Sequence, residues 1–275
     1  MRAASLALAG ALLPLTAAQG AAIYVNSYMV QGYARTATVF GTKYRMSHTN
    51  WDMELGRSSG TANPATYITA GLGANSNHPS GLVGRTYDLE IEHLAGEGFI
   101  YRMINGTVST TTLSWGTFSP TPPGATVQTL QGASPGAAFN ALIFNARASR
   151  DPSSMTFSNF SFSSPTLAIA DGAFVNGSAN TPGTAFVTQL LVSTENLAAH
   201  DWVVRGKVTG VRSTGAGGDE QLWFTVEGQD ANFTITPEPG GLLLVGGGLA
   251  LAAGQRRAAR KRAISGASAG DGLAR

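Results

Sequence analysis

The chain has 275 residues, no cysteine, 35 glycines and only 12% charged side chains, with a formal net charge of +2 and a pI near 9. Without cysteine there is no disulfide scaffold, thiolate zinc site, iron–sulfur cluster or cysteine nucleophile, while 43% hydrophobic residues suffice for a packed core. The positive charge sits at the ends: Arg2, Arg256, Arg257, Arg260, Lys261, Arg262 and Arg275 are seven of the 18 basic residues, and between Ile23 and Thr236 the other 11 face 14 acidic residues, a net of −3. A nucleic-acid binder concentrates Lys and Arg on its folded domain, so this balance argues against one.

The chain opens with Arg2, an apolar run over residues 3–15 and the small residues of 16–22, the pattern of a secretory signal peptide, 1–22. Cleavage after Gly20, with Ala18 at position −3, and cleavage after Ala22, with Gly20 at −3, both satisfy the small-residue requirement.

Residues 23–236 are broken by Gly, Pro, Asn and Ser about every 8 to 15 residues. In 87–93, Tyr87, Leu89 and Ile91 alternate with Asp88, Glu90 and Glu92, as a half-buried strand requires. Residues 99–104 and 107–113 are β-prone runs joined by Asn105-Gly106, a strong hairpin signal because both residues tolerate positive φ. Further strands are expected at 155–162, 185–192, 202–211 and 221–227. Residues 136–150 admit a helix, but Phe139, Leu142, Ile143 and Phe144 suit a strand pair with a loop better. Many short strands between turns make an all-β class, a β-sandwich or jelly-roll-like domain.

After it come Pro237-Glu238-Pro239, an uncharged stretch over 240–254 with six glycines, and a basic cluster of Arg256, Arg257, Arg260, Lys261 and Arg262. The prolines end the preceding fold and hold the triplet extended, as a protease cleft requires. Fifteen helical residues span about 22 Å against a ~30 Å hydrocarbon core, so the segment is a short hydrophobic helix suited to a temporary membrane stop. The basic flank holds it with the body outside.

The order of triplet, apolar run and basic cluster in 237–262 resembles the PEP-CTERM sorting signal of Gram-negative bacteria. The resemblance implies recognition and removal by an exosortase-type membrane protease, after signal peptidase has acted. It also implies transient residence in the inner membrane and delivery to the cell surface or extracellular matrix. Residues 263–275 continue past the usual end of such signals and read as a disordered tail. The body resembles the choice-of-anchor domains, type W, through Trp51-Asp52-Met53-Glu54-Leu55-Gly56, Arg85-Thr86-Tyr87-Asp88-Leu89, residues 196–204 and Asp219-Glu220-Gln221-Leu222.

Chemistry is sparse. Gly132-Ala133-Ser134-Pro135-Gly136 matches Gly-x-Ser-x-Gly, but Pro135 lacks the N–H that the oxyanion hole takes from that position. Glu90 and Glu92, about 6.6 Å apart along a strand, fall within the separation of glycosidase carboxylates, although alternation alone places them outward. His48, His78, His93 and His200 are scattered, and no metal or cofactor is expected. Trp51, Trp115, Trp202 and Trp223 are candidates for sugar stacking, with core packing as the competing role. The expectation is a non-enzymatic protein of the surface or exopolysaccharide matrix; a carbohydrate-binding module is the alternative, a glycosidase or lyase the third.

Overall fold

The computed structural model of the protein describes residues 21–46, 51–56, 67–70, 85–105, 109–123, 125–127, 135–149, 153–180, 185–211 and 222–236. The expected signal up to Gly20, residues 106–108 of the hairpin turn, residues 132–134 of the Gly-x-Ser-x-Gly match and everything from Pro237 onward lie outside the described residues.

The described residues form β1 (Ala22–Val25), β2 (Val30–Met46), β3 (Trp51–Gly56), β4 (Tyr67–Ala70), β5 (Arg85–Leu94), β6 (Gly98–Asn105), β7 (Ser109–Gly116), β8 (Ala125–Val127), β9 (Ala141–Ala148), β10 (Ser154–Ser163), β11 (Ala168–Gly172), β12 (Gly177–Asn180), β13 (Ala185–Ser193), β14 (Trp202–Val211) and β15 (Leu222–Ile235). One 3-10 turn covers Leu197–Ala199, and there is no α-helix among the described residues. One sheet runs β11-β1-β13-β9-β15-β2-β3-β4, the other β12-β10-β14-β5-β6-β7-β8. Pairing is parallel for β1 with β11 and for β7 with β8. The protein is an all-β sandwich. In 136–150 the expected strand pair with a loop is corrected to the single strand β9, and there is no helix there among the described residues: Leu142, Phe144, Ala146 and Ala148 are buried, with half-buried Ile143, Asn145 and Arg147 between them, a period of two.

Among the described residues, those of 21–27 and 34–231 belong to one compact unit and those of 28–33 and 232–236 to another. In the second, Thr236 N–H donates to the Met29 carbonyl at 2.9 Å and Thr234 Oγ1 to that of Gln31 at 3.4 Å. The first contains the sandwich core. On β5, Leu89, Ile91 and His93 face inward, as the alternation of that segment predicts; on β14 it is Trp202, Val204 and Val208, and on β15 Leu222, Phe224 and Val226. Aromatic rings join the two sheets. Phe40 of β2 lies 4.1 Å from Phe99 of β6, and Phe157 of β10 lies 5.8 Å from Phe224.

A close backbone approach joins the β5–β6 hairpin to its neighbour β7. Gly98 (φ +139°) pairs with Gly116 (φ +145°), and Thr117 N–H donates to the Glu97 carbonyl at 2.8 Å. A Cβ on Gly98 would stand 2.1 Å from the Trp115 carbonyl oxygen, and one on Gly116 2.0 Å from that of Glu97. Both sites exclude a side chain by conformation and by space.

His93 is a buried titratable group of this core. Its Nδ1–H donates to the His200 carbonyl at 2.8 Å and its ring stacks on Trp202 at 5.4 Å. Burial lowers its pKa below the ordinary 6.5, against the opposing pull of the His200 carbonyl and the charge of Asp201. A histidine whose folded pKa is depressed binds fewer protons folded than unfolded, so its contribution is complete above about pH 6.5 and is lost as pH falls below it. The slope is at most about 1.4 kcal/mol per pH unit, or a fall of roughly 3–5 °C in Tm for a domain of this size. Thermal melts between pH 7.5 and 5.5 will show this slope in the native protein, and His93→Gln will flatten it; an equal slope in both would assign it elsewhere.

Candidate functional site

Three groups of side chains come into question, and burial sorts the first. Trp115 and Trp202 are 3% and 1% exposed, which corrects their candidacy for sugar stacking: both rings point between the sheets. Trp202 contacts Phe40, His93, Phe99, Phe139 and Phe162 at centroid distances of 5.4–6.4 Å. Its indole N–H donates to the Leu197 carbonyl at 3.1 Å, at a 3-10 turn capped by the Asn196 side chain. Trp115 stacks on Phe99 at 5.6 Å. Trp51 opens β3, and its side chain lies outside the described residues.

The second group is the acidic face of β5. Arg102, opposite Glu90 on β6, donates to Glu90 and, at 2.8 Å, to Glu92; Arg205 of β14 donates to Glu90 at 2.7 Å, and Lys207 pairs with Asp88 at 2.5 Å. Burial pulls the Arg102 guanidinium down, and its bonds and charge contacts with Glu92 and Glu90 outweigh that and hold its pKa above the ordinary value. Glu90 and Glu92 therefore belong to a charge ladder across three strands of an outer sheet face, in place of two carboxyls converging across a cleft. Each half-exposed pair contributes about 0.2–1 kcal/mol. The adjoining hollow, about 300 Å³, is lined by Asp88, Glu90, Asn159, Arg205 and Lys207, among others. Its charged groups are already paired, Arg205 with Glu90 and Lys207 with Asp88.

The third group has the geometry of a platform. Phe186 of β13, Arg147 of β9 and Trp223 of β15 are register partners on three adjacent strands. Their chain neighbours Ala146, Ala148, Leu222 and Phe224 are fully buried, so this row stands on the outer face. Phe186 is 59% exposed. Strands two apart are separated by about 9.5 Å, yet the Phe186 and Trp223 centroids are 6.0 Å apart, at 69°; the rings lean together across β9. The Arg147 guanidinium carbon lies 5.4 Å from one centroid and 5.9 Å from the other, within cation–π range of both. Of the four tryptophans, Trp223 is the one seen on an outer face among the described side chains. Phe186 and Arg147 were not singled out from the sequence.

The chain matches no protein-family model and no curated protein sequence.

Among the described residues no three His, Asp or Glu side chains are placed to hold a metal ion. His200 Nδ1 is 2.8 Å from Thr166 Oγ1 and His93 is in the core. His48 and His78 lie outside the described residues. The triplet Pro237, Glu238 and Pro239, expected from the sequence to carry sorting, and the basic cluster also lie outside them; in the sequence the triplet follows Thr236, one residue past the end of β15 at Ile235.

Proposed function

We propose that this chain is a non-enzymatic exported protein of the cell surface or exopolysaccharide matrix, with a jelly-roll-like β-sandwich body and a C-terminal signal of the PEP-CTERM kind. The observation that carries this reading is the ordered triplet, apolar run and basic cluster at 237–262. The position of the triplet supports it: β15 ends at Ile235, so a protease acting near Pro237-Glu238-Pro239 meets chain that follows the last strand. The partners are signal peptidase, an exosortase-type protease and the matrix polymer.

Within this reading the fold favours one of the two N-terminal cleavage positions. Ala22 is 8% exposed, its N–H donates to Thr194 Oγ1 at 3.2 Å, and its carbonyl accepts from Thr194 N–H at 3.1 Å. The Ala21 carbonyl accepts from Ala168 N–H at 3.5 Å. Cleavage after Gly20 keeps these bonds, whereas cleavage after Ala22 removes all three.

The test is fractionation of cells expressing the full chain or a truncation ending at Thr236, with the mass of each exported product. The full chain is expected with the membrane or matrix and the truncation in the medium, both starting at Ala21. Identical fractionation of the two would sink the sorting reading, and a product starting at Ile23 would sink the assignment of the first cleavage.

A second reading, carbohydrate binding within the matrix, is supported by the Phe186–Arg147–Trp223 row, where aromatic faces and a cation share one outer surface.

A further inference from the structure

We propose that Phe186, Arg147 and Trp223 form a subsite for an acidic sugar, a uronic acid residue of an anionic polysaccharide; this rests on the carbohydrate-binding reading. The central observation is an unspent cation. No carboxylate among the described residues pairs with Arg147, and its Nε is covered without a hydrogen-bond partner. The outward cations Arg102, Arg205 and Lys207 of the other sheet are all engaged by Asp88, Glu90 or Glu92. A guanidinium held between two rings is fixed in position and offers its planar fork to a carboxylate.

The rings supply the second half of the recognition. Phe186 exposes more than half of its surface, and aromatic faces pack against the C–H faces of sugars as they do against other apolar surface. The next row on the same face is Thr188, Asn145 and Thr225, with Thr188 Oγ1 donating to Asn145 Oδ1 at 2.8 Å. That row is polar, which suits sugar hydroxyls and disfavours a lipid surface. A nucleic acid also combines flat rings with negative charge, but the body carries a net −3, whereas nucleic-acid affinity is built on many phosphate contacts. Two aromatic side chains are also far below the roughly 800 Å² per partner of a stable protein interface.

The test uses the protein released from the surface of expressing cells, by affinity electrophoresis in gels containing polygalacturonate, a neutral glucan or double-stranded DNA. Polygalacturonate is expected to retard the native protein, less so at high salt. Arg147→Gln should weaken that retardation at least ten-fold, and Phe186→Ala or Trp223→Ala should weaken it comparably, with melting temperatures near the parent's. Phe186→Tyr, which keeps the ring, should retain binding and guards against a folding defect in Phe186→Ala. Retardation by the neutral glucan that Arg147→Gln leaves unchanged would keep the carbohydrate reading and overturn the acidic-sugar assignment. No retardation by either polysaccharide would overturn both. Retardation by DNA alone, or a dimer in sedimentation that Phe186→Ala dissociates without any polymer binding, would overturn the proposal in favour of those partners.

Discussion

Replacing Trp202 by alanine is expected to lower the unfolding free energy by about 3–5 kcal/mol, the range for deleting a fully buried large aromatic. At about 2–4 °C per kcal/mol for a domain of this size, the melting temperature should fall by roughly 6–20 °C. The cavity would open among Phe40, His93, Phe99, Phe139 and Phe162, which come from both sheets, so neither can close it alone. The Leu197 carbonyl would lose the indole N–H as well and keep only the His200 N–H at 3.3 Å, and one lost hydrogen bond costs about 0.5–1.5 kcal/mol. Trp202→Phe should recover most of the packing but not that bond. Urea unfolding of the three proteins checks this. A change below about 0.5 kcal/mol, typical of surface positions, would mean that Trp202 stands outside the core.

Gly98→Ala is expected to destabilise by a comparable amount for a different reason. At φ +139° an L-residue is strained by about 1–3 kcal/mol, and its Cβ would be 2.1 Å from the Trp115 carbonyl and 2.8 Å from the Gly116 Cα. These are backbone atoms, so no side chain can rotate away; relief requires parting β6 from β7 where they pair. A further 1–3 kcal/mol for forced overpacking brings the total to about 2–6 kcal/mol. Gly116→Ala, whose Cβ would meet Glu97 and Gly98, should behave alike. Gly96→Ala provides the contrast, since a Cβ there would meet nothing within 4 Å and only the φ of +81° opposes it. Equal losses at Gly96 and Gly98 would mean that conformation alone matters and the close approach does not.

Much of the all-β reading was legible because charge sets the phase of a strand. Asp88, Glu90 and Glu92 turn one face of β5 outward and leave Leu89 and Ile91 to the core. The same logic was available for β14, where Arg205 and Lys207 fix the outward parity and thereby send Trp202 inside, and for β15, where Glu227 shares the parity of Trp223. The β6–β7 pairing of Asn105 with Ser109 places a hairpin where Asn105-Gly106 predicts one. Trp115 had no such guide, since Thr112 and Ser114 beside it are themselves buried. The platform was hidden for two reasons. In β13 the polar residues Thr188 and Gln189 are adjacent and fall on opposite faces. Gln189 is the buried one, at 3%, with its side-chain oxygen accepting from Val175 N–H at 2.9 Å and Asn26 Nδ2 at 2.8 Å. A polar residue in the core makes the outward phase of Phe186 unreadable. The platform also needs β13, β9 and β15 side by side, and that order is a property of topology that no local pattern carries. Strands β2, β3 and β4 were not delimited either, because their residues show no run of alternation as clear as that of β5.

Strand β15 stands between β9 and β2. Without it the eight-stranded order divides into β11-β1-β13-β9 and β2-β3-β4, two pieces with raw edges that invite aggregation. Thr42 of β2 meets Val226 of β15 across a sequence separation of 184 residues, and Ile23 of β1 waits for Ser193. A chain made or threaded N-terminus first must therefore keep its earliest strands unsatisfied until nearly the whole body has emerged, and contacts of such long range form slowly. The sandwich is joined by its final strand, so completion of folding coincides with delivery of the residues that adjoin Pro237. A chain ended within β15 would leave the sheet split, whereas one ended at Thr236 carries everything needed to close it.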